Sequence, residues 1–239
     1  MDFHCYIAMT AAEFHSVKTH PAYPAWMACH FSCYGTGLSN LPTELPEGAM
    51  VILNDRTPPA GHDPEYIARQ LCALKEEVNF SCILLDFQRQ GCEESACIAK
   101  HIFQALDCPV AVSEGYAHCT DGPVFVGMPK PNRCITDAIT PRKGREIWLE
   151  AALETQIARI TREGCTLTAM PFSGVPENAE TEPELRCRYR AEAFADHALV
   201  TLYRDIPQLE LLLQDARDMG VAKAIGLYQQ LGADFMGKK

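Results

Sequence analysis

The chain has 239 residues, 12 cysteines and a formal net charge of −10. Its 47% apolar and 22% charged content is that of an ordinary globular protein and excludes a disordered or collagen-like chain. The acidic balance argues against a nucleic-acid partner, because phosphate binding needs a basic surface that displaces counterions.

Short apolar runs alternate with amphipathic stretches. His4–Met9 and Ala25–Phe31 read as strands, and Met50–Asp55 is a stronger one that ends on polar residues. Asp63-Pro64 then supplies an N-cap and a first-turn proline, and Ile67, Leu71, Leu74 and Val78 follow at helical spacing. Cys82–Asp86 is an apolar strand with a carboxylate at its end. Ile98, Ile102 and Ala105 mark the next helix. Pro109–Ser113, Pro123–Gly127 and Ile147–Glu150 are further short strands. From Ala151 to Pro171, apolar and threonine residues flank Arg162-Glu163-Gly164, which predicts a β-hairpin. Residues 176–183 are polar and read as a loop. His197–Tyr203 reads as a strand. Asp205 and Gln208 fit a capping box, Leu209, Leu212, Leu213 and Ala216 form a helix face, and Gly220 ends it. Ala222–Tyr228 is the last strand.

Continuous apolar strands separated by helices imply parallel strands covered on both faces. No G-x-G-x-x-G follows the first strand, so the usual reason to prefer a dinucleotide-binding sheet is missing. The expected fold class is therefore α/β: a (β/α)8 TIM-like barrel, one domain over residues 1–239, with a β-hairpin insertion late in the chain.

The cysteines are scattered and form no C-x-x-C pair, so they read as small buried apolar residues rather than a zinc site. No H-E-x-x-H occurs. No metal and no cofactor is expected. No stretch of ~20 apolar residues predicts a membrane span. Met1-Asp2-Phe3-His4-Cys5-Tyr6-Ile7 lacks the basic-then-apolar order of a secretory leader. The expectation is a cytoplasmic protein with reduced thiols and no membrane partner. Tyr34–Asn40, with its G-x-G, reads as an ordinary turn, and Arg142-Lys143-Gly144-Arg145 as a solvated basic turn.

In such a barrel, function sits where strands end and the following loops begin. Polar residues recur there. His30, Asn54, Asp55, Asp86, Gln88, Arg89, Glu114, Glu150 and Tyr228 are the candidate ligand-binding residues. Asp55, Asp86, Glu114 and Glu150 are the candidate catalytic carboxylates, since glycoside hydrolysis needs an acid and a base. Each could instead cap a helix or pair with Arg56 or Arg89.

The segment from Asp63 to Gly91 carries a resemblance. Asn79-Phe80-Ser81-Cys82-Ile83-Leu84-Leu85-Asp86-Phe87-Gln88 is similar to the fourth barrel strand of the chitinase-type family-18 glycoside hydrolases, which reads F-D-G-x-D-x-D-x-E. Asp86 falls on the last Asp of that pattern, Phe87 on its aromatic, and Met50–Asp55 on the family's third strand. The first Asp is replaced by Ser81 and the second by Leu84. The terminal Glu, the family's general acid, is Gln88, and an amide has no titratable proton to give. Because the substrate's own N-acetyl group serves as nucleophile in that family, no second carboxylate substitutes easily. The family's aromatic floor Trp is also missing from the last strand, where Tyr228 is the nearest stand-in. The resemblance thus implies a barrel with its chemistry disabled, binding a carbohydrate or similar polar ligand. An active hydrolase using another carboxylate pair is the alternative, and a non-enzymatic interaction scaffold the third reading.

Overall fold

The computed structural model describes residues 3–142, 144–232 and 235. Lys143 of the basic turn and Met1-Asp2 of the opening segment lie outside the described residues. Two compact units are present. Of the described residues, the larger comprises 3–126, 144–150, 222–232 and 235, and the smaller 127–142 and 151–221.

In chain order the elements begin with β1 (His4–Met9), α1 (Ala11–Ser16), β2 (Pro24–Phe31) and the two-residue β3 (Leu38–Ser39). They continue with β4 (Met50–Asn54), α2 (Pro64–Val78), β5 (Cys82–Asp86), α3 (Glu93–Ala105) and β6 (Val110–Ser113). A 3-10 turn at Glu114–Cys119 leads to β7 (Val124–Val126), and α4 (Ile135–Ile139) precedes β8 (Ile147–Ala151). The smaller unit holds β9 (Glu154–Ile160), β10 (Cys165–Met170), β11 (Glu180–Glu182), β12 (Cys187–Ala193), β13 (Ala198–Arg204) and α5 (Ile206–Asp218). The chain then re-enters the larger unit as β14 (Lys223–Leu227) and α6 (Tyr228–Leu231).

Eight strands of the larger unit, in the order β1-β14-β8-β7-β6-β5-β4-β2, close through a β1–β2 pairing into a (β/α)8-type parallel barrel. β3 adds to β2 in the antiparallel sense. The barrel interior follows from the two-residue period of a strand. Tyr6 and Ala8 of β1, Met50 and Ile52 of β4, Cys82 and Leu84 of β5, Ala111 of β6, Trp148 of β8 and Ile225 of β14 form one buried cluster. Adding two to the strand positions Ile52, Leu84, Ala111 and Trp148 gives Asn54, Asp86, Ser113 and Glu150. These residues are the next layer inside the wall, at the C-terminal rim. Met50↔Cys82, Ile52↔Leu84 and Asn54↔Asp86 are in register, so the polar layer lies one step above the apolar one. Lower down, Glu146 accepts from the buried Trp148 indole N–H at 2.6 Å, and the Lys223 ammonium sits 4.7 Å over its ring.

The helices form as their sequences require. Asp63 caps α2 by accepting from Glu65 N, and Pro64 opens it. Asn79, in the left-handed region at φ 51°, closes it. The apolar stripe Ile67, Leu71, Leu74 and Val78 is buried.

The smaller unit is a five-stranded antiparallel sheet, β10-β9-β13-β12-β11. The expected hairpin is present as β9–β10, turning at residues 161–164. Three expectations are corrected. Residues 176–183 are not all loop, because Glu180–Glu182 pairs with Cys187–Tyr189 of β12 and extends the sheet. The last strand stops at Leu227, and Tyr228 opens a helical turn. Only half of the capping box at α5 forms: Asp205 accepts from Gln208 N at 3.2 Å, but the Gln208 side-chain oxygen has no hydrogen-bond partner. A complete box, absent from the expectations, joins Thr10 and Glu13 at α1.

Arg204 anchors this unit. Its fully buried guanidinium donates to the carbonyls of Pro129, Leu185 (3.2 Å) and Arg186 (3.3 Å), with Glu154 at 3.7 Å. A buried charge persists only when its donors are met in this way.

Candidate functional site

Asp86 ends β5 with its side chain turned into the barrel rim. Its Oδ1 accepts from the Gln88 amide Nε2 and from Ser113 Oγ at 3.5 Å. Burial pushes the Asp86 carboxyl above the usual carboxylate range. The Gln88 hydrogen bond opposes that shift, and the nearby charges of Glu150 and Asp55 add to it. Asp86 and Glu150 are therefore electrostatic neighbours, as their shared interior parity requires.

The loop after β5, which carries Gln88, is held from several sides. Asp55 is 2% exposed. Its Oδ1 accepts from Gln88 N at 2.8 Å and its Oδ2 from Arg89 N at 3.2 Å, with Ser95 Oγ at 3.5 Å. Arg89 bends back, donating from Nε to Asp55 O at 3.0 Å and from Nη2 to Arg56 O at 3.1 Å. The Tyr116 hydroxyl donates to Arg89 O. Phe87 is wedged between Phe31 and Tyr116, at ring-centroid distances of 5.8 and 5.7 Å. The loop is thus pre-organised by the hydrogen bonds and ring contacts around it.

The nine candidate residues separate accordingly. Asp86, Gln88 and Glu150 share the rim. Asn54 shares the interior layer, but its Nδ2 donates to Cys29 O at 2.9 Å and its Oδ1 accepts from Arg56 N at 3.2 Å. It ties β4 to β2. Asp55 and Arg89 serve the loop beneath Gln88. His30 reaches the rim row because β2 shifts register between Trp26 and Cys29, which sets His30 beside Asn54. Its Nδ1 lies 2.8 Å from Phe31 O and its Nε2 3.1 Å from Asn40 Nδ2. Both contacts are satisfied when Nδ1 carries the proton. Glu114 is exposed at the start of the 3-10 turn, one residue past the end of β6. Tyr228 is half-buried at the start of α6, just beyond β14. Ser113, Ser95 and Tyr116 were not among the candidates. Ser113 alone carried a signal, as a polar residue closing an apolar strand.

At the positions where the motif departs from the family pattern, Leu84 is 1% exposed in the barrel core. Ser81 donates to Gly48 O at 2.8 Å, far down the strand from the rim. Neither position offers a titratable group. Among the described residues, no cluster of three or more His, Cys, Asp or Glu side chains is arranged to hold a metal ion, and no helix is long and apolar enough to cross a membrane.

No family model and no curated protein matches the chain by sequence. Its fold, however, is shared with family-18 glycoside hydrolases and chitinase-like proteins over nearly its whole length. A family-18 N-acetylglucosaminidase from Paenibacillus barengoltzii superposes with a TM-score of 0.59 at 8% identity, over 99% of this chain and 97% of that one. The chitinase-like agglutinin RobpsCRA from Robinia pseudoacacia gives 0.55 at 10% identity, over 92% and 93%. A Glu-to-Gln mutant of class V chitinase from Nicotiana tobaccum, in complex with NAG4, gives 0.53 at 7% identity, over 92% of each chain. The chain is a chitinase-like barrel in fold.

Proposed function

We propose that this barrel binds a neutral, N-acetylated sugar oligomer or a similar polar ligand at its C-terminal rim, without family-18 hydrolysis. The observation that carries the reading is Gln88. It stands where the family pattern has its acid, and its amide is committed to Asp86. An amide can donate and accept hydrogen bonds to hydroxyl and acetamido groups but has no proton to give a leaving oxygen. Two fold neighbours support binding without cleavage: one is an agglutinin, and the other is a Glu-to-Gln mutant that holds NAG4. A cytoplasmic location belongs to the same proposal, supported by twelve free thiols.

The test combines calorimetric binding and turnover assays on N-acetylglucosamine oligomers, using the native protein and Gln88→Ala. Binding without turnover, weakened in Gln88→Ala, is the expected result. Robust native turnover lost in Gln88→Ala would refute the disabled-acid argument. A second reading, an active hydrolase, is favoured by the raised Asp86 carboxyl beside Glu150, since two carboxyls in unlike environments can divide acid and base roles. Turnover indifferent to Gln88→Ala but abolished by Glu150→Ala or Glu114→Ala would establish it.

A further inference from the structure

The two edges of the five-stranded sheet differ. The β11 edge is three residues long and carries Glu180 and Glu182. Short length and charge are the ordinary guards of a sheet edge. The β10 edge, Cys-Thr-Leu-Thr-Ala-Met, has six residues, all exposed, with no charge, no proline and no glycine. Among the described residues no strand pairs with its outer side.

Two hydrogen bonds fix which backbone groups of β10 are free. Thr161 N donates to Gly164 O at 2.8 Å, and these two residues stand opposite each other in the β9–β10 register. Hydrogen-bonded and non-bonded pairs alternate along an antiparallel ladder. Thr166, Thr168 and Met170 therefore bond inward to Arg159, Ile157 and Thr155. The far side of the sheet gives the same answer independently. Phe194 N donates to His197 O at 2.8 Å, which commits alternate residues of β12–β13 and leaves Ala198, Val200 and Leu202 to bond Ile160, Ala158 and Gln156. That again assigns Arg159, Ile157 and Thr155 to β10. The N–H and C=O groups of Cys165, Leu167 and Ala169 thus point outward.

We propose that this edge pairs with the same strand of a second copy of this chain, antiparallel about a twofold axis through Leu167. A twofold through any strand residue sets outward groups opposite one another, but only one through Leu167 keeps Cys165, Leu167 and Ala169 all paired within the two strands. Centring on Leu167 sets Leu167 opposite its own counterpart, Cys165 opposite Ala169, and Thr166 opposite Thr168. The outward groups of Cys165, Leu167 and Ala169 are then all used, and the sheet continues from one protomer into its partner. The side chains agree with this register. Leu167 lies in a row with Ala158, Val200 and Ala191, and Cys165 with Ile160, Ala198 and Ala193. That face is apolar and still open at its β10 end, where Leu167 is 48% and Ile160 44% exposed. The twofold doubles it and covers Leu167 with Leu167. Charge permits the approach despite a net charge of −10. Along the pairing line the turn residues Arg162 and Glu163 face Phe172 and Pro171, so no like charges meet.

The experiment is sedimentation equilibrium across micromolar concentrations, with native protein and Leu167→Lys. The native protein should reach twice the monomer mass in a concentration-dependent way. Leu167→Lys, which sets two ammonium groups against each other on the axis, should stay monomeric with unchanged circular dichroism, because the side chain is exposed in the single chain. Register is read by cross-linking in a Cys165→Ser background. Hydrogen-bonded partners have Cα atoms about 5.5 Å apart, within disulfide reach. Mild oxidation should therefore give covalent dimer with Leu167→Cys and not with Thr166→Cys. A native protein that is monomeric throughout, or a dimer that survives Leu167→Lys, would overturn the proposal. So would cross-linking by Thr166→Cys in preference to Leu167→Cys.

Discussion

Replacing Asp55 by alanine removes the acceptors of two backbone N–H groups, those of Gln88 and Arg89, at 2.8 and 3.2 Å. Each buried donor left without a partner costs about 1–3 kcal/mol. The two together should cost about 2–5 kcal/mol, the upper part being reduced if water enters. For a chain of this length 1 kcal/mol moves Tm by about 2–4 °C, so a fall of roughly 4–20 °C is expected. Asp55→Asn keeps one acceptor and turns an NH2 toward the other donor, so about half the loss should remain. Urea unfolding measures both variants, with an unchanged m-value confirming that the native state alone is affected. Ligand binding at the rim should weaken in parallel, because the loop that presents Gln88 is loosened. A cost below about 1 kcal/mol for Asp55→Ala, or full stability in Asp55→Asn, would refute the claim that Asp55 is the clamp of this loop.

Burial holds the Asp86 carboxyl above its ordinary value, so the folded protein binds that proton more tightly than the unfolded chain does. Its contribution to stability is present below the unfolded value of about 4 and falls away as pH rises through the folded one. The urea midpoint of Asp86→Asn should therefore rise relative to the native protein between acid and neutral pH, and a pH-independent difference would contradict this. Arg204→Met should cost about 3–5 kcal/mol, measured by urea unfolding, because three carbonyls and Glu154 lose a buried partner; adding Glu154→Gln should recover part of it. Burial pushes the Cys5 and Cys29 thiols up to about 12. A thiol reagent should thus modify the exposed Cys33, Cys97 and Cys165 first, and unreduced, denatured protein should return all twelve; several disulfides would overturn the cytoplasmic proposal. Since each compact unit is assembled from separated stretches of chain, we expect one domain thermodynamically. A calorimetric trace should show a single transition whose calorimetric and van't Hoff enthalpies agree, and two peaks would refute it.

The barrel was legible because its strands are buried on both faces. Runs such as Met50–Leu53 and Cys82–Leu85 have no polar residue to blur them, and each ends where the side chain meets the rim. β12 was not legible. Cys187-Arg-Tyr-Arg-Ala-Glu-Ala alternates charged and small residues, and its sheet partners Glu180–Glu182 look like loop until pairing is known. The candidate site was legible as a set of strand-end carboxylates, but composition cannot say what each one faces. Asp55 and Asp86 both close apolar strands. One is consumed by two main-chain N–H groups of a loop more than thirty residues on, and the other is left at the rim. Arg204 left no trace either, since a charged residue ending a strand is ordinarily solvated.

The barrel's seam joins its first strand to one of its last: His4 lies beside Lys223, and Ile7 beside Gly226. Between β8 and β14 the chain lays down an entire antiparallel sheet and a helix, in which the most widely separated paired residues are Glu154 and Arg204, far closer in sequence than the two sides of the seam. Such local structure forms early, whereas the seam must wait for the largest loop in the molecule to close. During synthesis the strands β1 to β8 will therefore stand as an open sheet with two unpaired parallel edges until β14 arrives. The interval before the seam closes is when the apolar face of β1 is most exposed to misassembly, and the rate of refolding should be set there rather than in the hairpins.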